Sequence, residues 1–198
     1  MRIPAVGPGQ VCLGVALMVP EPLAGRLQRA RACFGDPCAE VIPPHITLIP
    51  PTAVPQADLP GLADRIGALS AQFPGFSVRL RGVDTFRPVS PVVFAKVAEG
   101  FEQCQALAAR LRSVVTDLEE RFPYHPHVTL AQDAPEPSLN RAQYALDSLD
   151  ETFTVGTVEV CLLESDAVWH SCRQFPLAAS QTKAPSPITV AANHLEPA

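Results

Sequence analysis

The chain is predicted to be an α+β protein of two similar lobes related by a pseudo-twofold axis, each an antiparallel β-sheet flanked by helices, with a cleft between them. Three observations lead to this expectation. The stretch Pro43-Pro44-His45-Ile46-Thr47-Leu48 is echoed by Tyr124-His125-Pro126-His127-Val128-Thr129-Leu130, so that Pro-His, a β-branched residue, Thr and Leu occur twice, 82 residues apart. An order of strand, helix, motif strand, helix and strand pair runs through the sequence twice. The spacing also repeats, with 34 residues from Val11 to His45 and 35 from Val92 to His127.

Residues 1–10 carry two prolines and two glycines without periodicity and read as a loose lead-in. Val11 to Val19 is rich in β-formers and closed by Pro20, which predicts a strand. Leu23, Leu27 and Ala30 then recur at helical spacing, with Arg26, Arg29 and Arg31 largely on other faces. Gly35-Asp36-Pro37 ends that helix, and proline ahead of the first motif suits a strand's first residue. After Pro50-Pro51, the stripe Leu59, Leu62, Ile66, Leu69 and Phe73 predicts a second helix. From Phe76 to Arg81 the period becomes two, which puts Phe76, Val78 and Leu80 against the helices and Ser77, Arg79 and Arg81 on the opposite face. Residues 87–91 look like the link of a hairpin into Val92–Val97.

The second half starts at Val92. Phe101, Cys104, Leu107, Leu111, Val114 or Val115, Leu118 and Phe122 trace a long helix leading into the second motif, and Leu139, Ala142, Ala145, Leu146 and Leu149 trace another. Residues 153–165 and 168–177 are expected to form two strands joined by a turn near Ser165-Asp166. The bilobal domain is thus expected over 11–177, with repeats of about 11–90 and 91–177, and 178–198 as a disordered tail of Ala, Ser, Pro and Thr.

At 198 residues, 47% hydrophobic and 18% charged, the chain can bury a sizeable core. A net charge of −5 and a pI near 5.5 argue against an extended nucleic-acid-binding surface, which needs clustered cations. A nucleotide or an RNA end remains an admissible partner. The apolar run at 11–19 is too short to span a bilayer and lacks a strong basic lead, so no membrane engagement is expected; the cytoplasm is the default location and a monomer the default state. The six cysteines form no C-x-x-C pair and read as reduced core thiols, with only Cys33 and Cys38 placed for a loop disulfide.

Alternation along a strand puts His45 and Thr47 on one face, with Ile46 and Leu48 on the other, and does the same for His127 and Thr129. Two such pairs facing each other supply an acid, a base and two hydroxyl donors around one small anion, which is equipment for phosphate ester chemistry without a metal or cofactor. Arg79 and Arg81 are candidates to bind phosphate or ribose. Tyr124, Phe86 and Trp169 are candidates to stack a base. His125, next to Pro126, reads as an exposed strand-entry residue, and His170 and His194 receive no role. Two other readings stand beside the enzyme: a module that binds a nucleotide or RNA end without turnover, and a metal hydrolase built on His45, His125 and His127. The second is disfavoured by the lack of an accompanying carboxylate cluster.

The paired motifs, their separation and the repeated element order over about 11–177 resemble the two-histidine (2H) phosphoesterase superfamily, which includes bacterial 2′-5′ RNA ligase-like proteins and cyclic nucleotide phosphodiesterases. The resemblance maps the family's motif histidines onto His45 and His127 and its hydroxyls onto Thr47 and Thr129. It implies a bilobal fold with a water-filled cleft and metal-independent chemistry on 2′,3′-cyclic phosphates or 2′-5′ linkages.

Overall fold

The computed structural model describes residues 4–115, 118, 122–163 and 168–179. The first half runs β1 (Gln10–Met18), α1 (Leu23–Cys33), β2 (His45–Pro55), α2 (Leu59–Ser70) and β3 (Phe76–Thr85). The second runs β4 (Val92–Glu99), α3 (Phe101–Arg112), β5 (His127–Gln132), α4 (Glu136–Ala145), β6 (Asp150–Val155), β7 (Thr157–Leu163) and β8 (Trp169–Pro176). All eight strands join one curled antiparallel sheet in the order β6-β3-β4-β5-β2-β1-β7-β8.

Amphipathic alternation decides which face of the sheet is covered. Leu13, Val15 and Leu17 of β1, Val78 and Leu80 of β3, and Ile46, Leu48, Val128 and Leu130 of the motif strands are all fully buried. They pack with Leu27 of α1, Ile66 of α2, Leu107 and Leu111 of α3, and Leu139 of α4 in one continuous core, so the four helices share one face. The intervening residues look the other way. Cys12 and Ala16 of β1 and Cys161 of β7 join Ile42, Leu163 and Trp169 in a small second cluster.

The two motif strands meet in the middle of the sheet, where a single pair is in register, Ile46 opposite Val128. These are equivalent positions of the two motifs in an antiparallel pair, so a local twofold axis passes between them. Each half of the sheet has four strands, β2-β1-β7-β8 and β5-β4-β3-β6. The halves are interlaced, because β3 follows the first motif yet pairs with β4, while β7 follows the second yet pairs with β1.

Three elements depart from the sequence reading. Residues 153–165 are not one strand: the chain breaks at Gly156, and β6 pairs with β3 while β7 pairs with β1 in the opposite half-sheet. Helix α3 ends at Arg112, ten residues before Phe122, which is 60% exposed. The β-branched Val114 and Val115 that follow Ser113 favour the early stop. Strand β2 continues through Pro50 and Pro51 to Pro55, because β5 pairs with it only at Ile46 and the prolines therefore remove no ladder donor on that edge. The expected turn at Ser165-Asp166, and the expected tail apart from Ala178 and Ala179, lie outside the described residues.

Candidate active site

Each motif histidine is held by its own approach to the strand. His45 Nδ1 lies 2.7 Å from the carbonyl oxygen of Pro43, and His127 Nδ1 lies 2.7 Å from that of His125. A carbonyl has no proton to give, so both Nδ1 atoms carry the hydrogen and both Nε2 atoms are the free acceptors of the neutral ring. The repeated proline explains the device. Pro44 and Pro126 force the preceding residue into extended backbone, and this aims the carbonyls of Pro43 and His125 at the imidazole two residues on.

The four motif side chains share the helix-free face, since Ile46, Leu48, Val128 and Leu130 are in the helix-covered core. Continuing the register from Ile46 opposite Val128 sets His45 across from Thr129 and Thr47 across from His127. His45 Nε2 is 3.2 Å from Thr47 Oγ1, which donates to the neutral ring. Both imidazoles are partly exposed yet set among apolar groups. Burial pushes the pKa of His45 down to about 4, a tendency opposed by the Pro43 carbonyl and reinforced by the charges of Arg31 and His127. The His127 pKa is lowered as well, by burial first, with the His125 carbonyl opposing and the His125 charge adding to it.

Aromatic rings flank the pair unequally. The indole of Trp169 lies against His45, centroids 4.5 Å apart and planes at 30°. His127 meets Phe86 and Phe94 edge-on at 4.9 and 5.3 Å. The Trp169 ring also fits over Gly14, where an added Cβ would come within 3.1 Å of it.

The weaker sequence candidates have other partners. Arg79 is tied to Asp150 through two 2.7 Å contacts and to Glu99 at 3.1 Å. Arg81 stays exposed, 3.9 Å from Asp150. Tyr124 donates its hydroxyl to the Thr47 carbonyl at 3.1 Å and stacks under Arg112, whose Nε reaches the Leu48 carbonyl at 2.7 Å. This pair therefore braces the motif strand from behind. His125 is exposed, with its ring 6.3 Å from that of His127, and contributes to the site through its carbonyl. Among the described residues no three potential metal-ligating side chains converge, and no helix is long and apolar enough to cross a membrane. All six cysteines are free thiols, Cys33 and Cys38 included.

Arg31 is the residue that sequence reasoning placed on the wrong face. It is 2% exposed, its Nε donates to Asp36 at 2.9 Å, and its Nη1 donates to the Ile42 carbonyl at 2.6 Å. Asp36 also accepts from the Cys38 amide at 2.8 Å. The ion pair thereby fixes the loop that delivers Pro43 and His45. A partner five residues downstream in an irregular loop leaves no periodic signal. Replacing Arg31 by Met leaves a carboxylate buried without its cation, and the expected loss of stability is about 3–5 kcal/mol. Urea denaturation measures this loss, and an unchanged midpoint would show that the pair does not carry the loop.

Comparison with known proteins gives a consistent picture. A family model described as the 2′-5′ RNA ligase superfamily matches residues 19–169. A protein of Halalkalibacterium halodurans named "Putative phosphoesterase" is 26% identical over 170 residues, covering 85% of this chain and 98% of its own. Among solved structures, Escherichia coli LigT complexed with 3′-AMP superposes with a TM-score of 0.62 at 18% identity, covering 85% of this chain and 98% of that one. The Thermus thermophilus protein TT0787 superposes with a TM-score of 0.60 at 24% identity and the same coverage.

Proposed function

The chain belongs to the 2′-5′ RNA ligase superfamily, and from that premise we propose that it is a metal-independent phosphodiesterase. Its substrates in this reading are 2′,3′-cyclic phosphates of nucleotides or RNA ends, or 2′-5′ linkages, and His45 and His127 are its acid-base pair. The observation that carries the reading is the matched tethering of both Nδ1 atoms to backbone carbonyls, which leaves two Nε2 atoms to the face shared with Thr47 and Thr129. LigT, a structural neighbour, has been crystallised with 3′-AMP, ATP and NADP+, and this supports a nucleotide as the class of ligand.

Hydrolysis of a cyclic phosphate then needs one neutral and one protonated imidazole. The neutral Nε2 takes a proton from water as its oxygen bonds to phosphorus. The bond from phosphorus to one ribose oxygen breaks, and the other imidazolium delivers its proton to that oxygen. Thr47 and Thr129 donate to the non-bridging oxygens as charge builds on them. Phe86, Phe94 and Trp169 lower the local polarity, which strengthens each of these interactions.

A pH profile tests this mechanism. The active form of the pair holds one proton, so kcat/KM should be bell-shaped, and its two limbs belong to the pair and not to single residues. Both pKa values are displaced downward. A lowered pKa means the proton leaves earlier as pH rises, so the alkaline limb of kcat/KM should begin to fall below about 6.5, the ordinary imidazole value. In the complex, the anionic phosphate favours the imidazolium, so the kcat bell should lie at higher pH than that of kcat/KM. A profile flat from pH 4 to 8 would contradict acid-base catalysis by this pair.

A further inference from the structure

The catalytic centre is nearly twofold-symmetric, but its immediate surroundings are not. In the first half, Met18 stands opposite His45 across the β1–β2 ladder; at the corresponding place in the second half, Lys96 stands opposite His127 across β4–β5. Directly opposed residues in an antiparallel pair share a face, with Cβ atoms about 4.5–5.5 Å apart. Lys96 therefore rises from the catalytic face beside His127. Its side chain leans away from β5 and over β3, where its Cε and Nζ come within 3.2 and 3.5 Å of the point that a Cβ on Gly82 would occupy. Gly82, at φ +69°, keeps that space open.

The space is a concavity of about 450 Å³ lined by Arg81, Gly82, Lys96 and residues 147–150. Arg81 forms its second cationic wall. Of the two carboxylates on the rim, Asp150 is held by the bidentate grip of Arg79, which leaves Arg81 at 3.9 Å from it, and Asp147 stands on the α4 side. Lys96 has no ion-pair partner among the described residues. Two strand spacings separate β3 from β5, roughly 9–10 Å, so the Lys96 ammonium lies about one nucleotide from the phosphorus that His127 would address.

We propose that Lys96, backed by Arg81, forms a subsite for a second phosphate, the one on the 5′ side of the terminal nucleotide, so that the preferred substrates are RNA ends and 5′-phosphorylated nucleotides. This deepens the phosphodiesterase reading and rests on it for the placement of the reacting phosphate. Met18 offers no charge on the other side, so the subsite also gives the bound strand its direction. A charge-assisted contact from a solvent-exposed ammonium corresponds to a preference of about tenfold, falling as salt is raised.

Two measurements separate this subsite from the reaction itself. In turnover, wild-type kcat/KM is compared for adenosine 2′,3′-cyclic phosphate and its 5′-phosphorylated counterpart. The expected ratio is about tenfold in favour of the latter, near one in Lys96→Met and largely restored in Lys96→Arg. In binding, adenosine 3′,5′-bisphosphate and adenosine 3′-phosphate are titrated against the emission of Trp169, the only tryptophan in the chain and in contact with His45. The bisphosphate should bind about tenfold more tightly, and Lys96→Met should erase the difference. Equal affinities in the wild type, or a preference untouched by Lys96→Met, would overturn the subsite. A bisphosphate preference that depends on Lys96, in a protein that turns over no cyclic phosphate, would uphold the subsite and refute the phosphodiesterase reading.

Discussion

His45→Ala and His127→Ala should each lower turnover of a 2′,3′-cyclic phosphate by roughly 10²–10⁴-fold, because each removes one of the two proton-transfer groups. The double variant should lose less than the product of the two, since neither imidazole completes the reaction without the other. Both side chains are partly exposed on the helix-free face, whereas their neighbours Ile46 and Val128 carry the packing at 0% exposure. Circular dichroism and a denaturation midpoint should therefore show folded protein in both variants. His125→Ala is the internal control, because its carbonyl, and not its ring, fixes His127. Steady-state rates for the four variants give the comparison. If His125→Ala in folded protein is as damaging as His127→Ala, the acid-base role has been given to the wrong ring.

The second large effect belongs to the threonines. Thr47→Val and Thr129→Val keep the β-branched shape that suits a strand and delete a hydroxyl, so stability should change little. Turnover should fall by roughly 10²–10³-fold, comparable to the loss of one oxyanion-hole donor. Thr47→Val also removes the 3.2 Å contact to His45 Nε2, so the His45 proton affinity should shift, and with it the pH profile of the coupled pair. Thr129 makes no such contact to a histidine among the described residues, and its substitution should lower kcat without moving the profile. The two variants together separate tuning of the His45 imidazole from stabilisation of developing charge.

The motif strands were legible because alternation is a local rule, and His45, Thr47, His127 and Thr129 stand on the face that the period of two assigns. The same rule correctly divided Val78 and Leu80 from Arg79 and Arg81. In sequence the prolines mark strand entries, and their second effect, on the carbonyls of Pro43 and His125, appears only once the imidazole geometry is known. Gly156 carries no break signal because residues on both sides have strand character, and nothing local says that β6 and β7 belong to opposite halves of the sheet. Helical spacing sets Arg31 off the Leu23, Leu27 and Ala30 stripe, and Tyr124 is a stacking candidate only as an aromatic side chain. Both are engaged by groups brought close only by folding, Asp36 and the Ile42 carbonyl for Arg31 and Arg112 and the Thr47 carbonyl for Tyr124. Lys96 carried no signal at all, since its place beside His127 is a matter of strand register.

The most direct test of the central claim is incubation of the wild-type protein, in excess chelator, with 2′,3′-cyclic mononucleotides, cyclic-ended RNA and 2′-5′ dinucleotides. Product identity is read by the position of the remaining phosphate. The expected result is full turnover in chelator with a single regioisomer, because two fixed imidazoles protonate only one of the two ribose oxygens. Activity that disappears in chelator and returns with zinc or manganese, or no turnover of any of these substrates by protein that still binds a nucleotide, would contradict it.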